Sequence, residues 1–486
     1  MRFIACVPVF LLLMSLFAVA SVTPSSLQPE GWDSGMKLAE TRDLNPDPRI
    51  LEINLEARVA KVEIAEGRTV DAWTYDGGLP GPLIRLKVGD RLIVHFTNNL
   101  PAPTTVHWHG VRVPIEMDGV PGISQPEVKS GQSFTYDFIV PDAGLFWYHP
   151  HVLSAMQVGN GLTGALLVED PAESVPVADQ LVLVLSDIAV GDDGSLTPAD
   201  WGGTGGMAFG REGNIVLVNG RSNATLVARA GAPQRWRVVN TAKSRYFQVS
   251  VGEGDAFTKI GGGGGLQEYP TNHETLVLAP GDRADVIVTP RAKPGAEITV
   301  LNLLYNRGYG TFEFRPIEEM FKISMADLPE YTKSPLPQVR RAIEPLKKEG
   351  ATPVQLDLNL TQDPRDRKFE YNINGKPYWK ATPMTAKLGE TQLWTVNNTT
   401  PWSHPLHIHG FFFQVADKNG DPVHPIEWKD TVNVPFKESI RLLVRFDDRP
   451  GQWMVHCHIL DHADGGLMTT ILVGDAPAME HVHEKY

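Results

Sequence analysis

The sequence predicts an all-β protein of three consecutive β-sandwich domains, and three observations support that prediction. Short apolar runs rich in β-branched residues alternate with turn-forming residues, and no long segment has the periodicity of an amphipathic helix. One strand-like phrase recurs three times. With 45 glycines and 38 prolines in 486 residues, the pattern favours short strands and tight turns over an alternating α/β fold.

Predicted strands occur along the whole chain. They include Arg91–Thr97, Leu181–Leu185, Asp285–Thr289 and Ile440–Phe446, with Gly, Pro, Asn or Asp residues close to their ends. Runs of this length and composition are typical of the strands of a sandwich. Their distribution over the whole sequence indicates that every domain is built in the same way.

Three copies of one phrase define the domains. Lys87–Asn99, Arg229–Asn240 and Lys387–Asn398 each consist of a turn, a strand and an asparagine, at intervals of roughly 150 residues. Linkers are predicted at Pro171–Val177 and from about Pro329 to Gly350, where proline and charged residues accumulate. The predicted domains are residues 35–172, 178–328 and 345–475.

The N-terminus has the features of a secretory signal peptide, predicted as residues 1–20. Arg2 precedes an almost continuous apolar run, which ends in the small-residue pattern Ala18–Ala20. A membrane anchor is the alternative, but the run is short for a spanning helix, and Pro8 and Ser15 interrupt it. We therefore expect an exported protein, periplasmic or extracellular, with no membrane segment once the signal is removed.

The net charge and the number of cysteines limit the kinds of partner and the disulfide chemistry that are expected. The formal net charge is −13, whereas a nucleic-acid-binding protein normally carries a basic surface. Cys6 and Cys457 are the two cysteines, and Cys6 falls in the predicted signal peptide. The mature chain therefore has no intramolecular disulfide. The free thiol of Cys457 would be prone to oxidation in an oxidising compartment unless a metal bound it.

Four short runs hold ten of the fifteen histidines. Each run contains a His-x-His pair, and residues i and i+2 of a strand point to the same face, so each pair can aim two imidazoles at one place. Imidazole is the commonest metal ligand, and thiolate added to imidazole favours copper or zinc over magnesium or calcium. One pair alone would more often be structural, but four pairs predict a metal centre. The runs are His107–His109, His149–His151, His404–His409 and His456–His462.

Cys457 stands between His456 and His458. On a strand the two imidazoles face one way and the thiolate faces the other, so a few covalent bonds would join two metal sites. That arrangement suits electron transfer better than structural zinc, which closes one site with all its ligands. Two histidines and one cysteine with a weak or absent axial ligand form a blue-copper site, and His404, Cys457 and His462 are left to fill it.

The middle repeat has no comparable set of ligands. His273 is its only histidine and it has no cysteine, so we predict that His273 lies on the surface or in a loop. The glycine run Gly261–Gly265 lacks the Lys-Ser/Thr of a phosphate-binding loop, and we interpret it as a tight turn. The middle repeat is expected to act as a spacer between the two repeats that carry the ligands.

The chain resembles the three-domain multicopper oxidases of the laccase type. The motifs His-x-His-Gly, His-x-His, His-x-x-His-x-His and His-Cys-His-x-x-x-His are all present in order. The resemblance implies three cupredoxin-like Greek-key sandwiches, four copper ions per chain and a trinuclear cluster between domains 1 and 3. It also implies an enzyme that takes single electrons from a donor at type 1 copper, passes them along Cys457 and reduces O₂ to water.

Motif by motif, the resemblance also implies which residue would hold which copper. All ten histidines and the cysteine are present, whereas family members that have lost copper lose ligands. The type 1 ligands would be His404, Cys457 and His462, the type 2 ligands His107 and His407, and the ligands of the type 3 pair His109, His149 and His458 on one copper and His151, His409 and His456 on the other.

The axial position of the type 1 site refines the comparison with the family. Five residues after His462 the chain has Leu467, and Met468 follows it. The resemblance places Leu467 beside the copper, and a side chain that does not coordinate should raise the reduction potential. A one-residue shift of the loop would bring in Met468 instead, and that alternative stays open.

Reduction of O₂ consumes protons, and carboxylates near the cluster are the expected donors. By resemblance, Asp118 matches the family's acidic residue near the type 2 water channel, and Asp464 is a second candidate close to His462. Asp461 and Asp464 could equally serve solvation or hydrogen bonding around the ligands. Some bacterial relatives have Glu directly after the last type 1 histidine, and Ala463 in that position puts such a relay in doubt.

The donor is the least determined part of the function. Oxidases that take Cu(I) often carry a methionine-rich insert near the type 1 site, because thioethers bind Cu(I). The twelve methionines here are scattered, and Met320 and Met325 are the one close pair apart from the axial region. We therefore favour small aromatic reductants with O₂ and a monomeric bacterial enzyme. The alternatives are a cuprous or other metallo-oxidase for copper tolerance and a non-enzymatic cupredoxin-fold envelope protein.

Overall fold

The computed structural model describes residues 25–173, 175, 177–198, 202–252, 257–308, 317–332, 339–362 and 369–478. The predicted signal peptide, residues 1–20, lies outside the described residues. In the described part, regular structure consists of 29 strands, three short α-helices and two 3-10 turns. The prediction of an all-β chain is confirmed.

The first domain consists of two four-stranded sheets, in the orders β2-β1-β4-β6 and β3-β8-β7-β5. Leu92, Val94 and Phe96 on β4 meet Ile84 and Tyr148 of the other sheet in one buried apolar cluster. The two sheets therefore pack face to face as a sandwich. The elements are β1 (Ile50–Ala65), β2 (Arg68–Tyr75), β3 (Gly81–Lys87), β4 (Arg91–Asn98), β5 (His107–His109), the 3-10 turn Ile115–Met117, β6 (Ser133–Ile139), β7 (Gly144–His149), α1 (Ser154–Gly159) and β8 (Gly164–Glu169).

The second domain has a six-stranded sheet, β10-β9-β12-β17-β14-β15, and a five-stranded sheet, β11-β19-β18-β13-β16. Trp236 and Phe321 lie in the core between them, with ring centroids 5.7 Å apart, and Met320 and Met325 are buried in the same core. The elements are β9 (Gln180–Ile188), α2 (Gly203–Phe209), β10 (Ile215–Val218), β11 (Ala224–Ala228), β12 (Gln234–Asn240), β13 (Phe247–Val251), β14 (Phe257–Gly262), β15 (Gly265–His273), β16 (Leu276–Leu278), β17 (Arg283–Val288), β18 (Glu297–Leu303) and β19 (Glu318–Met325).

The third domain has two five-stranded sheets, β21-β20-β23-β27-β25 and β22-β29-β28-β24-β26. Trp394 of the first sheet and Trp453 of the second are fully buried in the core between them. The elements are β20 (Thr352–Gln362), β21 (Phe369–Ile373), the 3-10 turn Tyr378–Lys380, β22 (Met384–Ala386), β23 (Glu390–Asn398), β24 (His404–Ile408), β25 (Phe413–Ala416), β26 (Thr431–Val434), β27 (Ser439–Phe446), β28 (Gly451–Cys457), α3 (Leu460–Asp464) and β29 (Met468–Val473).

The recurring phrase has the same structural role in all three domains. Its strand pairs in parallel with the first long strand of each domain, as β4 with β1, β12 with β9 and β23 with β20. The closing asparagine, Asn98, Asn240 or Asn398, is buried, and its side-chain amide donates to two or more main-chain carbonyls. Its Oδ1 accepts the main-chain N–H two residues ahead in every copy, at 2.9 to 3.0 Å. The asparagine therefore fixes the turn that leaves each strand.

Two interpretations of the middle repeat are correct. β14 ends at Gly262 and β15 begins at Gly265, so the glycine run forms a tight hairpin turn. His273 is exposed at the last position of β15, on the surface as predicted. Within the described residues no helix is long and apolar enough to cross a membrane.

Candidate metal centre

The histidine runs lie on two pairs of antiparallel strands, one in domain 1 and one in domain 3. The register of β5 with β7 places His107 opposite His149. The register of β24 with β28 places His407 opposite His456 and Leu406 opposite Cys457. Strand pairing alone therefore brings two histidine runs together within each domain.

The prediction that each His-x-His pair lies on a strand holds for both residues of His107 and His109, and for the first residue of the other three pairs. β7, β24 and β28 end before the second histidine, so His151, His409 and His458 lie just beyond a strand end. The N–H of His458 still donates to the carbonyl of Pro405 on β24 at 2.6 Å, and the N–H of His409 donates to that of Met454 on β28 at 3.0 Å, so both histidines continue the register of the β24–β28 pair. Their rings still meet histidines of the other domain: His458 lies 4.8 Å from His109, and His151 lies 5.1 Å from His409, between ring centroids.

Alternation along the strands separates the ligands from the cores. Trp108 and Leu406 face the apolar cores of domains 1 and 3, whereas the histidines beside them face the interface between the domains. Cys457 also lies in the core of domain 3, on the side opposite its neighbours His456 and His458. The thiol and the two imidazoles are therefore directed to separate sites.

Eight imidazoles meet between domains 1 and 3, and they are called the cluster below. The rings of His107 and His409 stack with centroids 3.9 Å apart, and those of His109 and His407 stack at 3.8 Å. Each ligand group draws on both domains, so the cluster exists only when the two domains are docked. The groups whose ligand atoms lie within 4.8 Å of one another are His107, His109 and His407; His109, His149 and His458; and His151, His409 and His456.

A fourth group, called the cysteine site below, lies within domain 3. Sγ of Cys457 lies 3.5 Å from Nδ1 of His404 and 4.0 Å from Nδ1 of His462, and the two nitrogens lie 3.1 Å apart. A triangle of this size can surround one ion with bonds of about 2.0 Å to nitrogen and 2.3 Å to sulfur. All three side chains are buried.

The orientation of the cluster rings fits a bound metal. Nδ1 of His107 donates to the carbonyl of Asp118 at 2.7 Å, Nδ1 of His149 to that of Pro150 at 2.9 Å, and Nδ1 of His407 to that of Asp430 at 3.0 Å. The Nε2 atoms of these rings are buried and have no hydrogen-bond partner among the described residues. Buried polar atoms are normally satisfied, so these three nitrogens are suited to be metal ligands.

Burial keeps the imidazoles in the form that a metal needs. Desolvation, reinforced by the charge of Arg307, lowers the pKa of His404 to about 3. Desolvation also holds the pKa values of His456 and His458 well below the ordinary value. Burial raises the pKa of the Cys457 thiol, so a thiolate forms there when a cation replaces the proton.

Three family models described as multicopper oxidase match residues 56–173, 179–299 and 350–477, one for each domain. The chain belongs to the multicopper oxidase family. It is therefore an oxidoreductase of three cupredoxin-type domains that uses copper, a reducing substrate and O₂. Membership of an enzyme family disfavours the non-enzymatic envelope protein that the sequence left open.

Similar proteins come from several bacteria. The oxidase is 30% identical over 460 residues to the multicopper oxidase MmcO of Mycobacterium tuberculosis, covering 87% of each chain. It is 28% identical over 465 residues to a laccase of Bacillus subtilis, covering 83% of this chain and 90% of that protein. Among solved structures, a Campylobacter jejuni multicopper oxidase described as a metallo-oxidase superposes with a TM-score of 0.79, at 26% identity, over 93% of this chain and 99% of that one. A multicopper oxidase of Pseudomonas thermotolerans superposes with a TM-score of 0.73, at 30% identity, over 87% and 99%.

Asp118 is in contact with the cluster. It follows the 3-10 turn Ile115–Met117 and is 1% exposed. Its Oδ2 accepts from Nδ1 of His409 at 2.9 Å, and its Oδ1 lies 3.3 Å from Nδ1 of His107. The carboxylate therefore contacts two imidazoles of the oxidase directly, one from domain 1 and one from domain 3.

The other two acidic residues do not contact the imidazoles through any of their observed hydrogen bonds. Asp461 is held by Arg211, which donates through its main-chain N–H at 2.6 Å and through Nε at 3.0 Å. Asp464 accepts from the N–H of Ala155 at 2.9 Å, at the start of α1. Burial raises the pKa of Asp464 to about 7. These contacts show Asp461 in a structural ion pair and Asp464 in a junction between α3 and α1.

Sequence reasoning missed Asp430, a fully buried carboxylate beside the cluster. Its Oδ1 lies 3.2 Å from Nε2 of His109, and Thr431 Oγ1 lies 3.0 Å from the same nitrogen. Arg283 of the middle domain donates to Oδ1 of Asp430 at 2.5 Å and also to Oδ2. No motif or spacing signal marks this pair, because its members are 147 residues apart in the chain.

The expectation that the middle repeat is only a spacer is wrong. Besides Arg283, it places Gly281 against the cluster with a φ of +82°. A Cβ on Gly281 would lie 2.9 Å from Cγ of His458 and 3.0 Å from Cε1 of His109. The middle domain therefore packs on both rings, and only glycine leaves room for them.

Leu467, just before β29, and Met468, its first residue, pack in different apolar clusters. Leu467 is fully buried in the apolar cluster that contains Cys457, and its carbonyl accepts the N–H of Cys457 at 3.0 Å. Met468 is partly buried and packs instead with Val120 and Met454. The strand alternation that starts at Met468 thus directs its thioether away from the core that holds Cys457.

A segment of the middle domain lies over the cysteine site. His462 is fully buried; the ring of Tyr371 stacks on it at 4.2 Å, and that of Trp402 lies 6.3 Å away. Phe209 at the end of α2 packs edge-on against Trp402 at 5.4 Å. Arg307 donates to the carbonyl of Phe209 at 3.0 Å, which holds the end of α2 in place. Tyr371, Trp402 and Phe209 are called the cover below.

Proposed function

We propose that this multicopper oxidase is an exported, laccase-like enzyme that oxidises phenols and other aromatic donors one electron at a time and reduces O₂ to water. His404, Cys457 and His462 would hold a type 1 copper. The eight imidazoles of the cluster would hold three more ions, which makes four copper ions per chain. The opposed directions of Cys457 and of its neighbours His456 and His458 carry the proposal, because they join the two sites through adjacent residues.

Copper supplies the one-electron redox chemistry that side chains cannot provide. The protein keeps the donor apart from O₂, because the cysteine site lies in the core of domain 3 and the cluster lies between domains 1 and 3. Asp118 contacts two cluster imidazoles and can pass a proton toward the place where O₂ is reduced. Asp464, with a pKa raised to about 7 by burial, is retained as a second proton carrier, at the α1–α3 junction.

Aromatic donors fit the surroundings of the cysteine site. Tyr371, Trp402 and Phe209 form the cover over His462, and aromatic rings pack favourably on such side chains. The side chain of Leu467 has no sulfur or oxygen atom to offer the site, which favours a high reduction potential. A high potential is what the oxidation of phenols requires.

A cuprous oxidase is the second candidate, and one observation favours it. Met207, two residues before Phe209 on α2, is 37% exposed, and its thioether could meet Cu(I) there. The sequence offers no further methionine within α2, and Met320 and Met325 are buried in the core of the second domain. A single thioether is a weak Cu(I) site, so aromatic donors remain the proposal.

Copper analysis and steady-state kinetics test the proposal together. We expect about four coppers per chain and a higher kcat/KM for 2,6-dimethoxyphenol than for Cu(I) or Fe(II). Cys457→Ser should lose the type 1 absorption and donor oxidation while the cluster histidines keep their copper. Faster turnover of Cu(I) than of every phenol would favour the metallo-oxidase, and a wild-type chain without cluster copper would refute the oxidase mechanism.

A further inference from the structure

Arg283 connects all three domains at the cluster. It is the first residue of β17 in the middle domain, and it is 1% exposed. Its Nε donates to the carbonyl of Leu145 in domain 1 at 3.0 Å. Its two terminal nitrogens donate to the two carboxylate oxygens of Asp430 in domain 3. One guanidinium therefore spans the junction through three of its N–H groups.

Asp430 transmits this contact to two cluster histidines. Its Oδ1 lies 3.2 Å from Nε2 of His109, and its main-chain carbonyl accepts from Nδ1 of His407 at 3.0 Å. Thr431 Oγ1 donates to the same Oδ1 at 2.7 Å. With Nε2 engaged, His109 presents Nδ1 to the cluster, whereas His407 presents Nε2. Asp430 thus decides which nitrogen each stacked ring offers to a metal.

The surrounding backbone leaves room for the guanidinium. A Cβ on Gly110 of domain 1 would lie 2.6 Å from both Arg283 and Asp430, and a Cβ on Gly263 would lie 2.6 Å from Arg283. Among the described residues, Arg283 is the one arginine or lysine in salt-bridge contact with Asp430. Glycines from two domains therefore shape a pocket around a single ion pair.

We propose that Arg283 is a positioning residue for the cluster: its forked contact holds Asp430 so that His109 and His407 present the correct nitrogens to copper. The inference rests on the proposed ligand set. None of the observed hydrogen bonds or ion pairs of Arg283 reaches a cluster histidine. It therefore acts through Asp430 and through the carbonyl of Gly281, to which it also donates at 3.2 Å. It also makes the middle domain part of the cluster's support, although that domain supplies no ligand.

The test compares Arg283→Met with Arg235→Met. Arg235 is a matched control because it is a buried arginine on the adjacent strand β12, paired through two nitrogens with a carboxylate, Asp285, on β17. It has no contact with a cluster histidine among its observed hydrogen bonds and ion pairs. Copper would be added to the copper-free proteins in competition with a chelator, and electron paramagnetic resonance would separate type 1, type 2 and type 3 signals.

We expect Arg283→Met to weaken copper binding at the cluster by about 10- to 100-fold and to alter the type 3 signal, with the type 1 signal unchanged. Arg235→Met should lower thermal stability and leave the cluster signals as in the wild type. Equal loss of cluster copper in the two variants, or wild-type binding by Arg283→Met, would overturn the inference. The wild-type chain is measured first, since a wild type without cluster copper refutes the proposed function and not this inference alone.

Arg283→Lys is a second variant that tests the inference if Arg283→Met does not fold. Lysine keeps the charge but cannot reach both oxygens of Asp430 and the carbonyl of Leu145 with one ammonium. We expect it to fold and to recover part of the lost affinity, with an altered type 3 signal. Wild-type affinity and signals in Arg283→Lys would show that the fork is not needed and would overturn the inference.

Discussion

The substitution Asp118→Asn should slow reoxidation by O₂ at the cluster and leave reduction of the type 1 site by the donor unchanged. Asparagine keeps the size of the side chain but removes its charge and its capacity to carry a proton. In the wild type, the carboxylate of Asp118 accepts from Nδ1 of His409 at 2.9 Å and lies 3.3 Å from Nδ1 of His107. An amide has a single acceptor oxygen, so its NH₂ group must face one of these two ring nitrogens, whichever way it is turned.

The expected magnitude follows from those contacts. A hydrogen bond to a charged group contributes about 1.5–3 kcal/mol. At about 1.4 kcal/mol per factor of ten, that range corresponds to roughly a 10- to 100-fold change in rate. Residues that orient metal ligands typically change activity by about the same factor, 10- to 100-fold. We therefore expect reoxidation by O₂ to slow 10- to 100-fold, because Asp118 both orients two imidazoles and supplies protons.

Stopped-flow absorption measures the two half-reactions separately. Anaerobic reduction of the type 1 site by 2,6-dimethoxyphenol should proceed at the wild-type rate, because Asp118 lies at the cluster and not at the cysteine site. Reoxidation of the reduced enzyme by O₂ should be slow. Glu116→Gln is the control, since it removes an exposed carboxylate from the same turn. Reoxidation of Asp118→Asn within about twofold of wild type would refute the reasoning.

Three further predictions follow from the same structure. Leu467→Met should place a thioether beside Cys457 and lower the type 1 reduction potential by about 60 mV, a tenfold change in the redox equilibrium, in a spectroscopic redox titration; an unchanged potential would count against Leu467 as the axial residue. Gly281→Ala should reduce cluster copper and cost about 1–3 kcal/mol of stability, because of the positive φ and the clash with His458. Gly295→Ala, with a similar φ and open space around it, should cost stability only. The copper-free protein should lose stability steeply on acidification in calorimetry. The buried imidazoles have folded-state pKa values below the unfolded value of about 6.5, near 3 for His404, so the unfolded chain binds more protons and stability falls as the pH drops from 6.5 toward 3. A melting temperature that is constant from pH 7 to pH 5 without copper would contradict that prediction.

The groups of candidate ligands could be predicted from the sequence because their signal is local. Histidines two residues apart, and a cysteine between two of them, give their directions from strand geometry alone. The recurring phrase predicted three domains for a similar reason, because each copy carries its own turn and its own closing asparagine, such as Asn98. The ends of β7, β24 and β28 were missed, because strand geometry gives the direction of a side chain but not the residue at which strand pairing stops.

The supporting contacts could not be predicted, because their partners are distant in the chain and have no fixed spacing. Arg283 and Asp430 look like ordinary charged residues in the sequence, and only the docking of three domains brings them together. The contribution of α2 to the cover over the cysteine site was missed for a different reason. Gly203, Gly205 and Gly206 disfavour a helix, and α2 forms there because its end is held by Phe209 and Arg307.

Side chains alternate between the two faces of β28, so this strand cannot tolerate an insertion or deletion of a single residue. If one residue were inserted between Gly451 and Val455, the strand would slip against β24 and its two faces would exchange. The thiol would then point at the cluster, and an imidazole would enter the apolar core beside Leu467. Such an insertion would exchange the side chains presented to the two sites, although His456, Cys457 and His458 all remain in the sequence. In a deep insertion and deletion scan, β28 should therefore reject single-residue changes in length at positions that accept conservative substitutions.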